Sequence, residues 1–421
     1  NAYNVGVGYS AGSAITTGQE NVFIGALSGD STTDADGNVG VGHRTLDANT
    51  LGQFSTAIGG LALASQNYTT ATNAYNVAVG YGAGSLISTG IQNTLIGSAV
   101  GDALTDADFN VAVGYAALDK DTKGSKSTAI GTNALFNQNF TTATDTHNVA
   151  VGYNAGLSVT TGLRNTFAGG ESGDATNTGD DNTFIGYAAG GAHTTSDDNT
   201  ALGSFALTGA VTGAANTGIG RSSLAAVTSG ANNTGLGYLA GNSITTGGGN
   251  TCIGKGSDTN SASRNNSIAI GQEVTVSADN RVTIGSGSNI ASLELDGSDT
   301  SWAASSDERL KENITDSTAG LSFINDLRPV TYNWKKAKDV PNDLPQYIDG
   351  SDDPCLGYEY GTELHGFIAQ EVKTVIDNHS EVKDGQAIWL TDETTVQTLA
   401  PAALIPMLVK AIQELTARVA A

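Results

Sequence analysis

The 421-residue chain is poor in proline (6), tryptophan (3), cysteine (2) and basic residues (19), and no apolar run in it nears the ~20 residues that a membrane-spanning helix needs. Each shortage excludes something. With 42 Asp and Glu the formal charge is 19 − 42 = −23, so a phosphate backbone would be repelled for want of cations and no nucleic-acid partner is expected. Cys252 and Cys355 lie far apart in unlike surroundings, which reads as two inert thiols rather than a disulfide framework. The opening Asn1-Ala2-Tyr3-Asn4 supplies neither a basic nor an apolar leader segment, so no signal peptide is read and no membrane-embedded part is expected. The chain opens inside a repeat cassette without Met, which suggests a fragment of a longer molecule.

The scarce residues are also unevenly placed. Residues 1–301 hold 49 of the 55 glycines but no Pro and no Trp, with 9 basic and 23 acidic residues, whereas 302–421 hold every Pro and Trp and 29 charges. Two domains are expected, a Gly-rich body over 1–301 and an ordinary small α+β domain over 302–421.

The body is a repeat. Cassettes of the form Asn/Ser-Thr/Val-x-Ile/Val-Gly close on glycines at 8, 25, 42, 59, 80, 97, 114, 131, 152, 169, 186, 203, 220, 237, 254, 271 and 285, a step of 17 apart from two of 21 and a last one of 14. Both four-residue insertions carry similar text, Gln66-Asn67-Tyr68-Thr69-Thr70 and Gln138-Asn139-Phe140-Thr141-Thr142, so a 72-residue super-repeat overlies the short one. Seventeen residues cannot bury a core alone, so each unit is read as one turn of a parallel β-solenoid or β-roll whose stacking supplies the core. Val5/Val7, Val77/Val79, Val111/Val113 and Val149/Val151 alternate with period two and are expected to point inward. The Gly that follows turns the chain, and the cassette Asn should form a ladder between turns. Helix is disfavoured throughout.

Candidate chemistry in the body is thin. Asp34-Ala35-Asp36-Gly37-Asn38 and Asp106-Ala107-Asp108-Phe109-Asn110 open like calcium loops, but Thr45 and Ala117 stand where the closing Glu would be, so solvated turns are read there. The pairs Asp180-Asp181 and Asp197-Asp198 recur at one point of the repeat and read as a rim. No metal and no cofactor are expected. A glycan-degrading active site would need isolated carboxylates and aromatics on a distinct insertion, and the repeat runs unbroken.

The cassette resembles the head repeats of trimeric autotransporter adhesins, which form parallel β-rolls packed as trimers, and the Gly-rich repeats of some phage tail fibres, though its 17-residue unit is longer than the adhesin turn. In the C-terminal part four blocks follow in order: Ser305-Ser306-Asp307-Glu308-Arg309-Leu310-Lys311, Leu327-Arg328-Pro329-Val330-Thr331-Tyr332-Asn333-Trp334, His365-Gly366-Phe367-Ile368-Ala369-Gln370-Glu371-Val372, and Leu404-Ile405-Pro406-Met407-Leu408-Val409. Together they are similar to the endosialidase-type intramolecular chaperone and auto-processing domain of phage tail spikes and fibres.

That resemblance implies a nucleophile, Ser306, a base, Lys311, and a severed bond between Ser305 and Ser306. Asp307 and His365 are possible supporting residues. From spacing alone, Ser306-Asp307 reads instead as a helix N-cap with Lys311 in solvent. The chemistry itself is sound, since a Ser hydroxyl needs a base to become nucleophilic and a Lys serves when burial lowers its pKa.

Leu404, Leu408, Ile412, Leu415 and Val419 form a narrow apolar seam on a helix starting near Ile405, of the kind used in coiled coils. Pro406 fits only its first turn. The expected whole is mainly β: a solenoid body in a homotrimer, followed by a small α+β chaperone ending in a coiled-coil helix. It would be a tail fibre or spike of a virion, assembled in the host cytoplasm. Its partners would be two further copies of itself and a host-surface receptor, a glycan or outer-membrane component. A glycan-degrading tail spike and a bacterial surface adhesin are the alternatives.

Overall fold

In the computed structural model residues 2–295, 303–304, 308, 312–344, 346–356, 361–382, 388–391 and 397–420 are described. The chain divides into two compact units, Asn1–Ser305 and Ser306–Ala421. The first is a β-solenoid. Sixteen three-residue strands, from Val5–Val7 to Ile268–Ile270, pair in parallel with their neighbours one turn away, and Arg281–Ser286, Asn289–Glu294 and Ala303–Ala304 extend the same 19-stranded sheet. The register follows the repeat, Val5 opposite Val22 and Thr217 opposite Thr234. Where the insertions lengthen a turn, extra pairs form between Gly52–Gln53 and Thr72–Asn73 and between Gly124–Ser125 and Thr144–Asp145.

The column of closing glycines explains how the turns approach so closely. Gly80 has φ +139°, and a Cβ placed on it would lie 2.2 Å from the carbonyl oxygen of Gly97 in the next turn. No L side chain fits there. Between these columns runs the Asn ladder: Asn165 Oδ1 accepts the backbone N–H of Asn182 (3.0 Å), while Asn165 Nδ2 donates to the carbonyl of Gly179 (2.8 Å). The side chain thus closes its own turn and joins the next. At Ser55 and Ser127 the ladder loses its amide, and Gln66 and Gln138 from the insertions replace it, accepting from Asn76 and Asn148 at 2.9 Å each.

The inward face of the strands differs from the expectation. The middle residue points into the coil, so Phe23, Ala57, Leu95, Phe167 and Phe184 are fully buried, whereas Val5, Val7, Val111 and Val151 stand outside. Val77, Val79, Val113 and Val149 are only half-buried. The reason is room: a 17-residue turn closes on itself so tightly that only one residue per strand reaches the axis. Beside Phe184 stands Gly190, where a Cβ would meet the ring at 2.3 Å, whereas the neighbouring turn pairs Ala201 with a buried Leu207.

The second unit is a small α+β fold. Among its described residues three α-helices, α1 (Leu321–Asp326), α2 (Ala369–Asn378) and α3 (Ile405–Ala420), pack with short antiparallel pairs, Val330–Tyr332 with Leu364–Gly366 and Trp389–Thr391 with Gln397–Leu399. Phe323, Val372, Ile376 and Leu404 are in its core. Pro401 opens a 3-10 turn that leads into α3, and Pro406 sits in the first turn of that helix. Among the described residues no helix is long and apolar enough to cross a membrane.

Candidate functional site

Ser305, Ser306, Asp307 and Lys311 lie outside the described residues. On their body side the described chain ends in Ala303–Ala304, which pairs antiparallel with Ala291 and Ser292. On the other side Glu312 to Thr318 are exposed and carry no helix, and α1 begins at Leu321 after Gly320.

The blocks that follow fold onto one another. Thr331 of the Arg-Pro-Val-Thr-Tyr block pairs with His365 of the next, and Arg328 forms a fork with both oxygens of Glu371 on α2, 2.9 and 2.5 Å away. The last block joins at α1, where Glu414 on α3 accepts the backbone N–H of Leu321 at 3.0 Å. Residues spread over nearly a hundred positions therefore meet in one unit. Leu404, in the 3-10 turn before α3, and Ala411 on α3 are buried against it, whereas Leu408, Ile412, Leu415 and Val419 are exposed. Leu404 thus belongs to the core of its own unit, and the uncovered seam begins at Leu408.

His365 is exposed on its strand and borders a cavity of about 1070 Å³ walled by Tyr332, Trp334, Val340, Phe367 and Leu399. The indole N–H of Trp334 is buried without a hydrogen-bond partner. The walls are mostly apolar, so the cavity suits an apolar side chain better than a hydrolytic centre.

A second histidine, which the sequence reading did not single out, is more firmly built. His379, at the end of α2, is held between Glu381 Oε1 on Nδ1 and Asp326 Oδ2 on Nε2, both at 2.8 Å, and packs edge-on against Phe323. Hydrogen bonds donated to Glu381 first and Asp326 second raise its pKa above the ordinary value. With both nitrogens taken by carboxylates it has no lone pair for a nucleophile. It is a clamp between α1 and α2.

Residues 306–381 match the family model described as Chaperone of endosialidase. Comparison of the chain with curated proteins gave no match. The chaperone match takes in the first block from Ser306 on, the next two blocks and His379, but stops short of α3.

In the body the acidic residues serve the stack. Asp36 and Asp108 accept the backbone N–H of Gln19 and Ile91 one turn back, at 2.7 and 2.8 Å. Asp180 and Asp197 do the same for Leu163 and Asp180, and Arg164 grips Asp181 with two bonds of 2.7 Å. Among the described residues no three His, Cys, Asp or Glu converge to hold a metal. Asp102 and Asp119, one turn apart, do converge as a pair: burial and the facing Asp119 push the Asp102 pKa up to about 6. Both cysteines are free, Cys252 buried in the core column and Cys355 half-buried in the second unit.

Proposed function

We propose that the chain is a subunit of a homotrimeric tail fibre or tail spike. The solenoid body meets the host surface, and the C-terminal unit is an intramolecular chaperone that brings three chains into register and then severs itself before Ser306. One observation carries the reading: the chaperone match begins at Ser306, the same position at which the chain divides into its two compact units. A cut there separates two bodies that each keep their own core.

The trimer is supported by α3, whose uncovered Leu408, Ile412, Leu415 and Val419 would be costly in water and suit a bundle with two copies of the same helix. A clamp at one end is also what the body needs, since identical turns make a slip of one repeat nearly isoenergetic. Cleavage follows from position. Ser306 Oγ gives its proton to Lys311 Nζ and attacks the carbonyl carbon of Ser305; the amide C–N bond breaks, the nitrogen takes the proton, and a Ser305 ester is left on Oγ. Water then hydrolyses the ester, restoring the hydroxyl and freeing the Ser305 carboxylate. Lys311 acts as base only when desolvated, so burial on assembly would couple the cut to correct folding. The host receptor is a surface glycan or outer-membrane component, and the assembled protein belongs to the virion tail.

Sedimentation equilibrium together with intact-mass measurement tests this. The expected result is three times the 42.6 kDa chain mass, or three times a trimmed mass ending at Ser305. A folded monomer of full mass would overturn it.

A further inference from the structure

The residue before each column glycine points out of the solenoid, and from Val7 to Ile284 all seventeen of these positions are Val, Ile, Leu or, once, Ala168. None is buried; Ile96 is 41%, Ile185 38% and Leu236 44% exposed. Two positions earlier on the same outer face, Val5 to Val282, all seventeen are Val, Thr or Ile. Thirty-four residues down one side of the body thus include no charge, in a chain of net charge −23. Parallel sheets ordinarily have both faces covered, because both carry apolar side chains. Here the inner face is covered by the coil itself, and none of these outer residues is buried within the described body.

We propose that this outer strand face is the surface along which the bodies of two further copies pack, parallel and turn against turn. The proposal rests on the trimer reading above and adds where the bodies touch. Three features choose a second copy as the occupant. The first is size: seventeen rungs at ~4.8 Å and strands about 10 Å long give a stripe of roughly 800 Å² per copy, one partner's share of a stable interface. The second is period, because an apolar row unbroken over seventeen rungs is matched in rise and length by the same row on another copy. The third is charge. Two acidic bodies repel each other, and the strand face, which carries no charge, is where they approach at least electrostatic cost. Rungs that repeat so evenly do not define their own register, which is the task left to the C-terminal unit.

The test uses the full chain with Cys252→Ala and Cys355→Ser, a nitroxide attached at Ile96→Cys in one sample and at Asp198→Cys on the rim in another, and pulsed electron-spin distance measurement. Packed sheets lie ~10 Å apart, so labels at position 96 of different copies should come within roughly 20 Å, and labels at 198 should lie clearly farther apart. In the wild-type chain, hydroxyl-radical footprinting should find Ile96 and Ile185 protected to the level of the buried Ala112. A trimer by sedimentation whose labels at 96 are no closer than those at 198, or whose Ile96 and Ile185 oxidise freely, overturns the inference and leaves the chaperone reading standing. A monomer overturns both.

Discussion

Asn216 Oδ1 accepts the backbone N–H of Asn233 from 3.0 Å, while Asn216 Nδ2 donates 2.9 Å to the carbonyl of Gly230 in its own turn. One side chain therefore satisfies a buried donor above it and a buried acceptor beside it. Asn216→Ala leaves both unpaired, and each unpaired buried group costs ~1–3 kcal/mol. The variant should melt well below wild type by calorimetry. Melting unchanged within a degree would show that the ladder does not hold the turns.

The core columns allow a sharper test. Phe184 fills the space that Gly190, at φ +63°, leaves open, whereas Ala57 and Ala201 share their turns with Leu63 and Leu207. Leu63 and Leu207 hold φ 48° and 49°, so the left-handed backbone at this position accepts Leu in these two turns. Phe184→Ala should cost ~3–5 kcal/mol, and Gly190→Leu alone should be severe, because the new side chain overlaps the ring. The double variant should be more stable than either single one. Strictly additive losses would refute the exchange.

How much of this was legible in the sequence follows from what repeats. The period, the strand positions and the cassette Asn, replaced by Ser at 55, 127 and 267, recur along the body and could be counted directly. Which face of a strand such as Val5-Gly6-Val7 points inward could not, because both faces are apolar and the decision rests on how little space a 17-residue turn encloses. The start of α3 was legible from Pro406 and the leucine spacing, but the burial of Leu404 in its own unit was not. His379 was invisible because Asp326 lies 53 residues away. Ser306 and Lys311 came from the family pattern alone.

Two titrating sites should move body stability in opposite directions. Burial and Asp119 raise the Asp102 pKa to about 6, so the folded body holds a proton that the unfolded chain releases; this contribution is full below the unfolded value near 3.8 and is lost as pH rises through 6. His193 is buried against Phe184 with both ring nitrogens unpaired, and burial lowers its pKa to about 4. The folded body then excludes a proton that the unfolded chain binds below 6.5, so this contribution is full above 6.5 and disappears as pH falls to 4. Asp102→Asn should raise the melting temperature at pH 7.5 more than at pH 5. His193→Val should raise it more at pH 5. The reverse order for either variant would show that the group titrates as it does in the unfolded chain.

The C-terminal unit should respond through His379. Its pKa is raised by Glu381 and Asp326, so the clamp is complete below the unfolded value near 6.5 and is lost as pH rises through the higher folded value. His379→Gln keeps one hydrogen bond without the charge. It should lower the melting of this unit at pH 6 and have less effect at pH 8.5. Equal losses at both values would mean that the imidazole packs on Phe323 without bearing charge.

Processing gives the most direct test of the chemistry at Ser306. The cut should leave a body ending at Ser305 and release a fragment of 116 residues, 421 − 306 + 1. Ser306→Ala should abolish it while sedimentation still finds trimer, because the hydroxyl is needed for attack and contributes little to packing. Lys311→Ala should stop it too. Lys311→Arg separates base from charge: it keeps the positive charge, but a guanidinium does not deprotonate near neutral pH and cannot take the hydroxyl proton. Intact mass should therefore show an uncut chain. Wild-type processing in Lys311→Arg would remove Lys311 as the base and leave Ser306 to be activated by another group. A wild-type trimer that stays whole would remove the peptidase altogether and leave a retained chaperone.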